Sequence, residues 1–532
     1  MRRARLPRVH MRDRTVMLPV NAMLRRSALD LPDKEAIAWH GQRVTYAELD
    51  EASSRIAAFL HQAGVERGMR VAIYSAKCIE EVAAIFAVMK IGAVLVHINP
   101  AFRDDKLNHV LTECEPAALF FHPSKHVMLE RSARAAVLPP LVIRLSAEGA
   151  VASAFPDANL VPAIELSPIL RGLTAAGGVF PEGSNAADDL AAIIYTSGTT
   201  ASAKGIMVTH QILSDATLVS AQVLGNVADD RLISLTPFSF DGALSQLFTM
   251  TLVGGTLVLQ DSLFPKDVVA TLAAERITGA HAVPSFWRLM QERYPAFADR
   301  ALPCLRYLSL IGEHFSEPDL LRLKRALAST DFYMMYGTTE AFRSTCLAPE
   351  DFFTKLGSAG RPLPGVTITV VDENGQPCPT GTVGEVVHAG AFVSPGYWKR
   401  PHSATFRNGR VHTGDLGRLD ADGCLYFVGR KDTMVKRFGY QLYPEEVEAC
   451  LLALNGVALA AVVCGADSGG GPALQAFIVC RHGSTLTKSA VTQHCRRHLP
   501  HYMVPDDIAF VASLPTTANG KIDRAGLRLE QV

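Results

Sequence analysis

Short apolar runs alternate with amphipathic stretches along most of the chain. The runs are rich in Val, Ile, Leu and aromatic residues and occupy residues 71–74, 94–98, 191–195, 232–235, 256–259 and 307–311. Segments such as 80–91 and 265–275, which lie between the runs, carry apolar residues at helical spacing. Because alternating strands and helices are typical of α/β domains, we expect that architecture here, with largely parallel sheets.

The pattern changes after about residue 360, where strands separated by turns replace the alternation of strands and helices. Residues 366–371 and 384–389 are two such strand-like segments. The last hundred residues begin with a hairpin, followed by a helix near 444–452 and strands at 458–464 and 473–479. We therefore expect a β-rich subdomain that closes the large N-terminal part, and a small C-terminal domain of helices and strands.

Composition and charge narrow the class of protein. Hydrophobic residues make up 48% of the 532 residues and charged residues 20%, which is typical of a globular protein with a large core. Lys plus Arg and Asp plus Glu both number 52, so net charge gives no reason to expect nucleic acid or a membrane as a partner. No apolar run approaches the ~20 residues of a membrane-spanning helix.

The ten cysteines are scattered singly from Cys78 to Cys495, without a Cys-x-x-Cys pair or a His/Cys cluster at zinc spacing. This arrangement predicts a reducing, cytoplasmic environment and argues against a disulfide framework or a structural metal. Six arginines fall within the first fourteen residues, and no apolar segment of signal-peptide length follows them. We interpret this basic start as a solvated tail or as the result of an upstream start codon.

The strongest single motif follows the apolar run at 191–195. It reads Thr-Ser-Gly-Thr-Thr-Ala-Ser-Ala-Lys-Gly and extends from Thr196 to Gly205. Small hydroxyl residues and glycine allow backbone N–H and side-chain O–H groups to converge on phosphate oxygens, and a lysine adds positive charge. A Walker A loop counted from Gly198 requires glycine at position 203 and Ser or Thr at 205, whereas the chain has Ala203 and Gly205. The motif therefore argues against a P-loop kinase or ATPase.

This loop resembles the phosphate-binding loop of the adenylate-forming superfamily, which comprises acyl-CoA synthetases, luciferases and the adenylation domains of nonribosomal peptide synthetases. Four further blocks resemble motifs of the same superfamily and follow in the same order. They are Tyr-Gly-Thr-Thr-Glu at 336–340, Thr-Gly-Asp at 413–415, Gly-Arg-Lys-Asp at 429–432 and Pro-Thr-Thr-Ala-Asn-Gly-Lys at 515–521. Five ordered blocks rarely arise by chance, and the resemblance extends over nearly the whole chain.

The resemblance implies the fold class and a division into two domains. The expected fold is α/β, with a large N-terminal domain of two parallel-type α/β subdomains plus a β-rich subdomain, and a small mobile α+β C-terminal domain. Residues 1–431 would form the AMP-binding adenylation domain, and residues 432–532 the swivelling domain that carries the catalytic lysine. Asp432 would be the hinge, and Lys436 and Gly439 would border the tunnel for a thiol acceptor.

The resemblance also assigns roles in forming an acyl-adenylate, in which a carboxylate attacks the α-phosphate of ATP and pyrophosphate leaves. Lys521 would be the chief catalyst, because a cation can bridge the carboxylate and the α-phosphate as charge develops. Thr339 would contact the α-phosphate, and Glu340 would hold Mg²⁺, a hard cation that suits a carboxylate. The residues expected to bind ATP are Thr196, Ser197, Gly198, Thr199, Thr200, Lys204, Glu313, Tyr336, Asp415 and Arg430.

Two positions in the loop depart from the superfamily pattern, with Ala201 where glycine is usual and Ala203 where proline is usual. If position 201 needs a positive φ, alanine adds strain of roughly 1–2 kcal/mol there. These departures motivate one alternative, a catalytically degenerate adenylate-binding protein, although Lys521, Glu340 and Asp415 are all retained. A phosphotransferase is a weaker alternative that rests only on the Ser/Thr, Gly and Lys chemistry of the loop.

The sequence leaves the substrate open between an amino-bearing acid and a plain acyl acid. Asp241, in the segment Phe-Ser-Phe-Asp, resembles the aspartate that pairs with the substrate ammonium in amino-acid-adenylating enzymes and D-alanine–carrier-protein ligases. A buried carboxylate needs a partner, and an amine would serve. Arg343 could instead pair with Asp241, or hold a second anionic group of the substrate. The other expected pocket residues are Ser245, Ala282, Ser309, Ile311 and Met335.

The acyl group would then pass to a thiol. Because the chain stops soon after Lys521, we expect no fused carrier domain, and the acceptor would be coenzyme A or the phosphopantetheine arm of a separate carrier protein. The sequence favours neither. The expected partners are thus ATP, Mg²⁺, a small carboxylic or amino acid and one of these two thiols.

Overall fold

The computed structural model describes residues 18–133, 138–145, 164–165, 185–196, 203–294, 297, 302–312, 317–437, 440–466, 472–516 and 522–527. Its α-helices are Val20–Asp30, Tyr46–Gln62, Ile79–Lys90, Asp104–Cys114, His126–Ala133, His210–Val223, Asp241–Val253, Pro265–Ala274, Pro284–Arg293, Glu317–Ala326, Pro444–Ala453 and Lys488–His498. Helix Tyr46–Gln62 begins at a capping box, in which the N–H of Thr45 donates to the Glu48 carboxylate at 2.8 Å. Among the described helices, none combines the length and the apolar character that crossing a membrane requires.

A seven-stranded sheet forms one half of the N-terminal part. Its strands are parallel except at one edge, and their order is Ile164–Glu165, Leu141–Arg144, Ala118–Phe121, Arg70–Tyr74, Val94–Ile98, Leu190–Thr196 and Lys204–Thr209. The last two strands are antiparallel, with Thr196 paired with Lys204. The phosphate-loop motif therefore starts on one strand of a hairpin and ends on the other.

A nine-stranded sheet forms the other half. The order is Arg361–Pro362, Thr345–Leu347, Asp331–Tyr336, Tyr307–Ile311, Gly279–Ala282, Arg231–Ser234, Thr256–Leu259, Glu35–Trp39 and Gln42–Thr45. The six strands from Asp331–Tyr336 to Glu35–Trp39 are parallel, and the outer pairs are antiparallel. The parallel strands all present their carboxyl ends at the same edge, where ligands of open α/β sheets bind.

The largest hydrophobic core joins the two sheets through helices Ile79–Lys90 and Asp241–Val253. Nearly every residue of these two helices is buried, and the rings of Phe86 and Phe248 meet edge to face with centroids 6.0 Å apart. Apolar residues occur all around both helices, as expected for helices enclosed on every side. Helix Asp241–Val253 ends at Gly254, whose φ of 72° is the left-handed conformation that glycine adopts without strain. This core therefore determines where the first turn of that helix lies.

Smaller sheets complete the chain. Antiparallel strands Val366–Val371, Gly384–Gly390, Arg410–Leu419, Phe406–Arg407 and Leu425–Arg430 form the β-rich subdomain. The hairpin Val435–Arg437 and Tyr440–Leu442 begins the C-terminal part, which also contains a three-stranded sheet of Val457–Ala466, Pro472–Cys480 and Asp507–Phe510. Helices Pro444–Ala453 and Lys488–His498 pack on that sheet around a separate core.

The predicted α/β fold class is confirmed, with its large N-terminal and small C-terminal parts. All six apolar runs overlap strands of the two large sheets, and the two amphipathic segments overlap helices Ile79–Lys90 and Pro265–Ala274. The pattern did not predict the antiparallel strands at the sheet edges. Three of these strands, Gln42–Thr45, Thr345–Leu347 and Arg361–Pro362, have only two to four residues, which is too short for a periodic pattern to be recognised.

Candidate active site

A cavity of about 700 Å³ lies at the carboxyl ends of the parallel strands of the nine-stranded sheet. Ile311 and Tyr336 end two of these strands and line the cavity. The β-rich subdomain, the seven-stranded sheet and the C-terminal part supply further walls, among them Thr196, Lys204, Thr413, Asp415, Arg430, Asp432 and Ile522. Four parts of the chain that are distant in sequence therefore enclose one space.

Tyr336, Asp415 and Arg430 form a hydrogen-bonded group on the cavity wall. The Tyr336 hydroxyl donates to one carboxylate oxygen of Asp415 at 2.7 Å, and Arg430 Nη1 donates to the other at 2.8 Å. Asp415 and Arg430 are direct partners on neighbouring antiparallel strands, which explains their contact. Burial, and then the negative charge of Asp415, raise the pKa of Tyr336 well above its usual value. The group thus combines a neutral phenol, a carboxylate and a guanidinium in one place.

The chain turns sharply after Tyr336. A Cβ at Gly337 would lie 3.2 Å from the carbonyl oxygen of Phe342, which leaves little room for a side chain. Phe342 itself has a φ of 49°, a left-handed conformation that is uncommon for a bulky residue. This turn brings Thr338, Thr339, Glu340 and Arg343 to the cavity wall. The Thr338 hydroxyl is buried and has no hydrogen-bond partner in the described part of the chain.

Tyr397 links Glu340, the predicted Mg²⁺ ligand, to Lys204 of the predicted ATP-binding set. Its hydroxyl donates to Glu340 Oε1 at 2.8 Å, and Lys204 Nζ lies 5.3 Å from the centroid of its ring. The N–H of Trp398 donates to the carbonyl of Gly205 at 2.7 Å, which ties this segment to the phosphate-loop hairpin. Sequence reasoning missed Tyr397. The signal that was available is an aromatic pair directly after Gly396, outside any strand or helix pattern.

Asp241 and Arg343 form an ion pair beside the cavity. Arg343 Nη1 lies 3.5 Å from Asp241 Oδ2 and donates to the carbonyl of Phe342 at 3.1 Å. The Arg343 side chain is 5% exposed, whereas that of Asp241 is 21% exposed. Burial lowers the pKa of Arg343 even though Asp241 acts in the opposite direction. The sequence left open whether Asp241 pairs with a substrate ammonium or with Arg343, and whether Arg343 instead holds a second anionic group of the substrate.

His281 lies next to this ion pair. Its Nδ1 is 3.1 Å from the Ser309 hydroxyl, and a Cβ added at Gly242 would lie 2.7 Å from its Nε2. Burial, followed by the nearby Arg343 guanidinium, lowers the pKa of His281 to about 3, so the imidazole is neutral at neutral pH. His281 was not among the site residues predicted from the sequence. No motif marked it, because only the register of strand Gly279–Ala282 turns it toward the cavity.

A small pocket of about 20 Å³ adjoins the main cavity. The two spaces share lining from Gly242, His281, Met335 and Arg343. Hydroxyl and amide side chains line much of the rest, including Ser220, Ser245, Thr249, Ser309, Asn226 and Gln246. Three predicted pocket residues, Ser245, Ser309 and Met335, therefore border this pocket, and Ile311 borders the main cavity.

Ala282 departs from its predicted place in the acid pocket. Its side chain belongs to the hydrophobic core on the other face of the nine-stranded sheet. Successive residues of a strand point to opposite faces, so His281, and not Ala282, faces the cavity side. The neighbouring Val283 also lines the cavity.

Several predicted site residues lie outside the described residues. They are Ser197, Gly198, Thr199, Thr200, Glu313, Gly439 and Lys521. Lys436 lies in the strand Val435–Arg437, and Asp432 lines the cavity and accepts from Arg430 Nε at 2.8 Å. Ile522, the residue after Lys521, also lines the cavity. Of the predicted ATP-binding set, Thr196, Lys204, Tyr336, Asp415 and Arg430 border the same space, together with Thr339 and Glu340.

Relatives of this chain include a ligase for L-proline and a much longer synthase. The chain is 32% identical to the L-proline–[L-prolyl-carrier protein] ligase of Streptomyces coelicolor, over 92% of each chain. It is 30% identical to tyrocidine synthase 3 of Brevibacillus parabrevis over 93% of its own length, but it spans only 7% of that much longer protein.

The fold is shared with a solved CoA synthetase. With the o-succinylbenzoate CoA synthetase of Bacillus subtilis in complex with its acyl-adenylate intermediate, the TM-score is 0.80 at 26% identity, covering 96% of this chain and 98% of the other. The same enzyme in complex with ATP and magnesium ion gives a TM-score of 0.77 at 27% identity, covering 95% and 98%. Residues 24–398 match the AMP-binding enzyme family and residues 446–521 match the AMP-binding enzyme C-terminal domain. The chain therefore belongs to the AMP-binding enzyme family.

Proposed function

We propose that this chain is an ATP-dependent, AMP-forming acid–thiol ligase. The observation that carries the proposal is the single cavity of about 700 Å³, which joins the Tyr336, Asp415 and Arg430 group to the Asp241 and Arg343 pair. The first group suits a nucleotide, and the second suits the polar group of a small acid. Membership of the AMP-binding enzyme family supports the same conclusion.

The reaction has two steps. In the first, a carboxylate oxygen of the acid attacks the α-phosphorus of ATP, the bond to the β-phosphate oxygen breaks, and pyrophosphate leaves. In the second, a thiolate sulfur attacks the acyl carbon, and the carbon–oxygen bond to AMP breaks, which gives a thioester. The protein contributes chiefly by positioning the reactants and stabilising developing negative charge.

The residues on the cavity wall suit the nucleotide. Tyr336 would stack on adenine, and Asp415 would accept hydrogen bonds from the ribose hydroxyls, which a carboxylate with several lone pairs can do. Arg430 already contacts Asp415 and would lie beside the ribose and phosphate. Lys204 and Thr196 border the cavity from the phosphate-loop hairpin, which supports a role with the departing phosphates. Lys521 would bridge the carboxylate and the α-phosphate.

Glu340 fits a role in holding Mg²⁺ together with the phosphates. Its carboxylate lines the cavity, and near it the buried Thr338 hydroxyl has no hydrogen-bond partner in the described residues. The described residues contain no cluster of three or more acidic, His or Cys ligands, and Mg²⁺ at nucleotide sites commonly takes one or two carboxylates plus phosphate oxygens. When bound, the ion would neutralise phosphate charge, while Tyr397 holds Glu340 in place.

We further propose that residues 1–431 and 432–532 act as the two domains, with Asp432 at the hinge. The C-terminal domain would first present Lys521 and then rotate to admit the thiol past Lys436 and Gly439. Coenzyme A and the phosphopantetheine of a separate carrier protein both fit this scheme. Relatives of both kinds support keeping both acceptors, since one transfers to a carrier protein and another is a CoA synthetase.

The first test is acid-dependent exchange of labelled pyrophosphate into ATP by the purified chain, screened over amino acids, fatty acids, aryl acids and dicarboxylates. We expect exchange with one class, and AMP release on adding coenzyme A or a phosphopantetheinylated carrier protein. Acid-stimulated formation of ADP would indicate a phosphotransferase instead. ATP binding without exchange for any acid would contradict the proposal and favour a degenerate adenylate-binding protein.

A further inference from the structure

Asp241, His281 and Arg343 border one end of the cavity, which we call the acid end. Arg343 is the charged group least exposed to solvent there. It follows the tight turn after Tyr336, lines both the main cavity and the small pocket, and is 5% exposed. Its Nη1 donates to the Phe342 carbonyl, and the same atom is the one that faces Asp241. That hydrogen bond uses one of the five N–H donors of a guanidinium.

Asp241 neutralises the positive charge of Arg343 only partly. The separation of 3.5 Å is long for a charged hydrogen bond, and the carboxylate is turned far enough toward solvent to be 21% exposed. The lowered pKa of Arg343 shows that burial outweighs the attraction of Asp241. No acidic residue lines the small pocket in the described part of the chain, and the neutral His281 supplies no charge there. The pocket therefore has a surplus of positive potential.

A substrate ammonium fits this arrangement poorly. To reach Asp241 it would have to lie beside the Arg343 guanidinium, and two like charges in a buried site repel. A carboxylate would instead accept two parallel hydrogen bonds from a guanidinium, the geometry for which arginine is best suited. The hydroxyls of Ser220 and Ser245, which lie 3.4 Å apart in the small pocket, share one hydrogen bond, so one of them keeps a hydrogen for such a group.

We propose that Arg343 is the specificity-determining residue of this ligase and that its substrate is a short acid bearing a second carboxylate, which binds the guanidinium. The inference rests on the proposed function, since it names the acid that is activated. Asp241 then acts as a positioning residue that orients Arg343. A short chain is inferred because the pocket beside Arg343 has a volume of only about 20 Å³.

The experiment compares acids matched in length in the pyrophosphate-exchange assay. Malonate, succinate and glutarate are set against propionate, butyrate and valerate, and against β-alanine and 4-aminobutyrate. We expect one dicarboxylate to exceed its matched monocarboxylate and amino acid in kcat/KM by about 100-fold or more, because a buried charged donor left unpaired discriminates strongly. A preference for a monocarboxylate or an amino acid overturns the inference but leaves the proposed function standing. Absence of exchange with every acid overturns both.

Variants of Arg343 test the assignment itself. In Arg343→Met we expect KM for the preferred dicarboxylate to rise about 100-fold with kcat little changed, because the second carboxylate is remote from the reacting atoms. Arg343→Lys keeps the positive charge but not the forked geometry of the guanidinium, so KM should rise less than in Arg343→Met. It also replaces the Met variant as the test if that variant does not fold. Arg55→Met, which removes an arginine from the surface of helix Tyr46–Gln62, is the matched control. An unchanged preference in both Arg343 variants would overturn the assignment.

Discussion

Arg481 of the C-terminal part donates a hydrogen bond of 2.8 Å from Nη2 to a carboxylate oxygen of Asp319, which lies in helix Glu317–Ala326 of the N-terminal part. Asp319 is 1% exposed and also accepts from Arg288 Nε at 2.9 Å. Arg481 contacts Glu292 as well, on helix Pro284–Arg293. A residue just after strand Pro472–Cys480 is thus embedded in an ion-pair network of the other domain, in the same arrangement that brings Ile522 to the cavity.

We predict that Arg481→Ala weakens this arrangement of the domains. Asp319 retains Arg288 and Arg322, so the variant should fold, but the lost charged hydrogen bonds contribute about 1.5–3 kcal/mol to the contact. Pyrophosphate exchange should fall about tenfold, and an interdomain distance measured by fluorescence energy transfer should broaden. Arg497→Ala, on the exposed side of helix Lys488–His498, is the control. A distance distribution and exchange rate like those of the unmodified chain would show that the contact has no part in domain orientation.

Replacement of Lys521 tests the proposed chief catalyst. Lys521→Ala should reduce adenylate formation by about 100–1000-fold, the usual effect of removing one group that stabilises developing charge. ATP affinity and thioester formation from a supplied acyl-adenylate should change little. The two half-reactions are measured separately, the first by pyrophosphate exchange and the second by AMP release. Adenylate formation at the normal rate would remove Lys521 from the catalytic set.

Asp415→Asn tests the nucleotide end of the cavity. The change leaves the shape of the side chain but removes the charge that Arg430 and the Tyr336 hydroxyl contact. We expect the Kd for ATP to rise about tenfold or more, since hydrogen bonds to charged groups contribute about 1.5–3 kcal/mol each. Calorimetric titration of ATP measures the effect. Asp422→Asn, at an exposed carboxylate that shares Lys355 with Asp420, should bind ATP normally.

The depressed pKa of His281 predicts how stability depends on pH. The folded-state pKa is about 3, so the imidazole stays neutral in the folded protein while the unfolded chain takes up a proton below about pH 6.5. The unfolded state therefore binds more protons between these two pH values. The contribution of His281 to the free energy of unfolding is present in full above about pH 6.5 and is lost as the pH falls toward 3. His210, whose pKa burial lowers to about 4, acts in the same direction.

His281→Gln should reduce the slope of unfolding free energy against pH between 7 and 5 by roughly one proton at most. Denaturant unfolding at a series of pH values measures the slope. If the variant and the unmodified chain have the same slope, His281 is not held neutral by the fold. In the double variant with His210→Gln, the slope of unfolding free energy against pH should be smaller still.

Much of the nucleotide end could be predicted from the sequence, because its residues occur in short blocks whose neighbours identify them. Tyr336 and Glu340 belong to one block, and Asp415 and Arg430 to two others. Tyr336 and Glu340 reach the cavity because the parallel topology places strand ends together, whereas Asp415 and Arg430 reach it from neighbouring antiparallel strands of the β-rich subdomain. The apolar runs predicted the strands for the same reason, since each run is a local feature of the chain.

The acid end could be predicted only in part. Asp241 and Arg343 are far apart in sequence, so their contact depends on where helix Asp241–Val253 begins and on the left-handed Phe342 in the turn. The sequence predicted Ala282 at the place in the pocket wall that His281 occupies. Which of the two faces the cavity depends on the register of a short strand, and a shift of one residue reverses the face of every side chain. Tyr397 contacts Glu340, Lys204 and the ring of Phe406, and no local pattern in the sequence encodes these contacts.

Asp241 and Arg343 lie on different elements, a helix start and a turn, and their side chains form an ion pair. A single change at position 343 to a small neutral residue would leave the carboxylate facing the cavity without its cation, in surroundings that would then attract an ammonium. The charge sign that the acid pocket accepts is therefore separable from the machinery that activates the carboxylate. Descendants of one gene could change the kind of acid they use in a single mutational step, with the nucleotide end untouched.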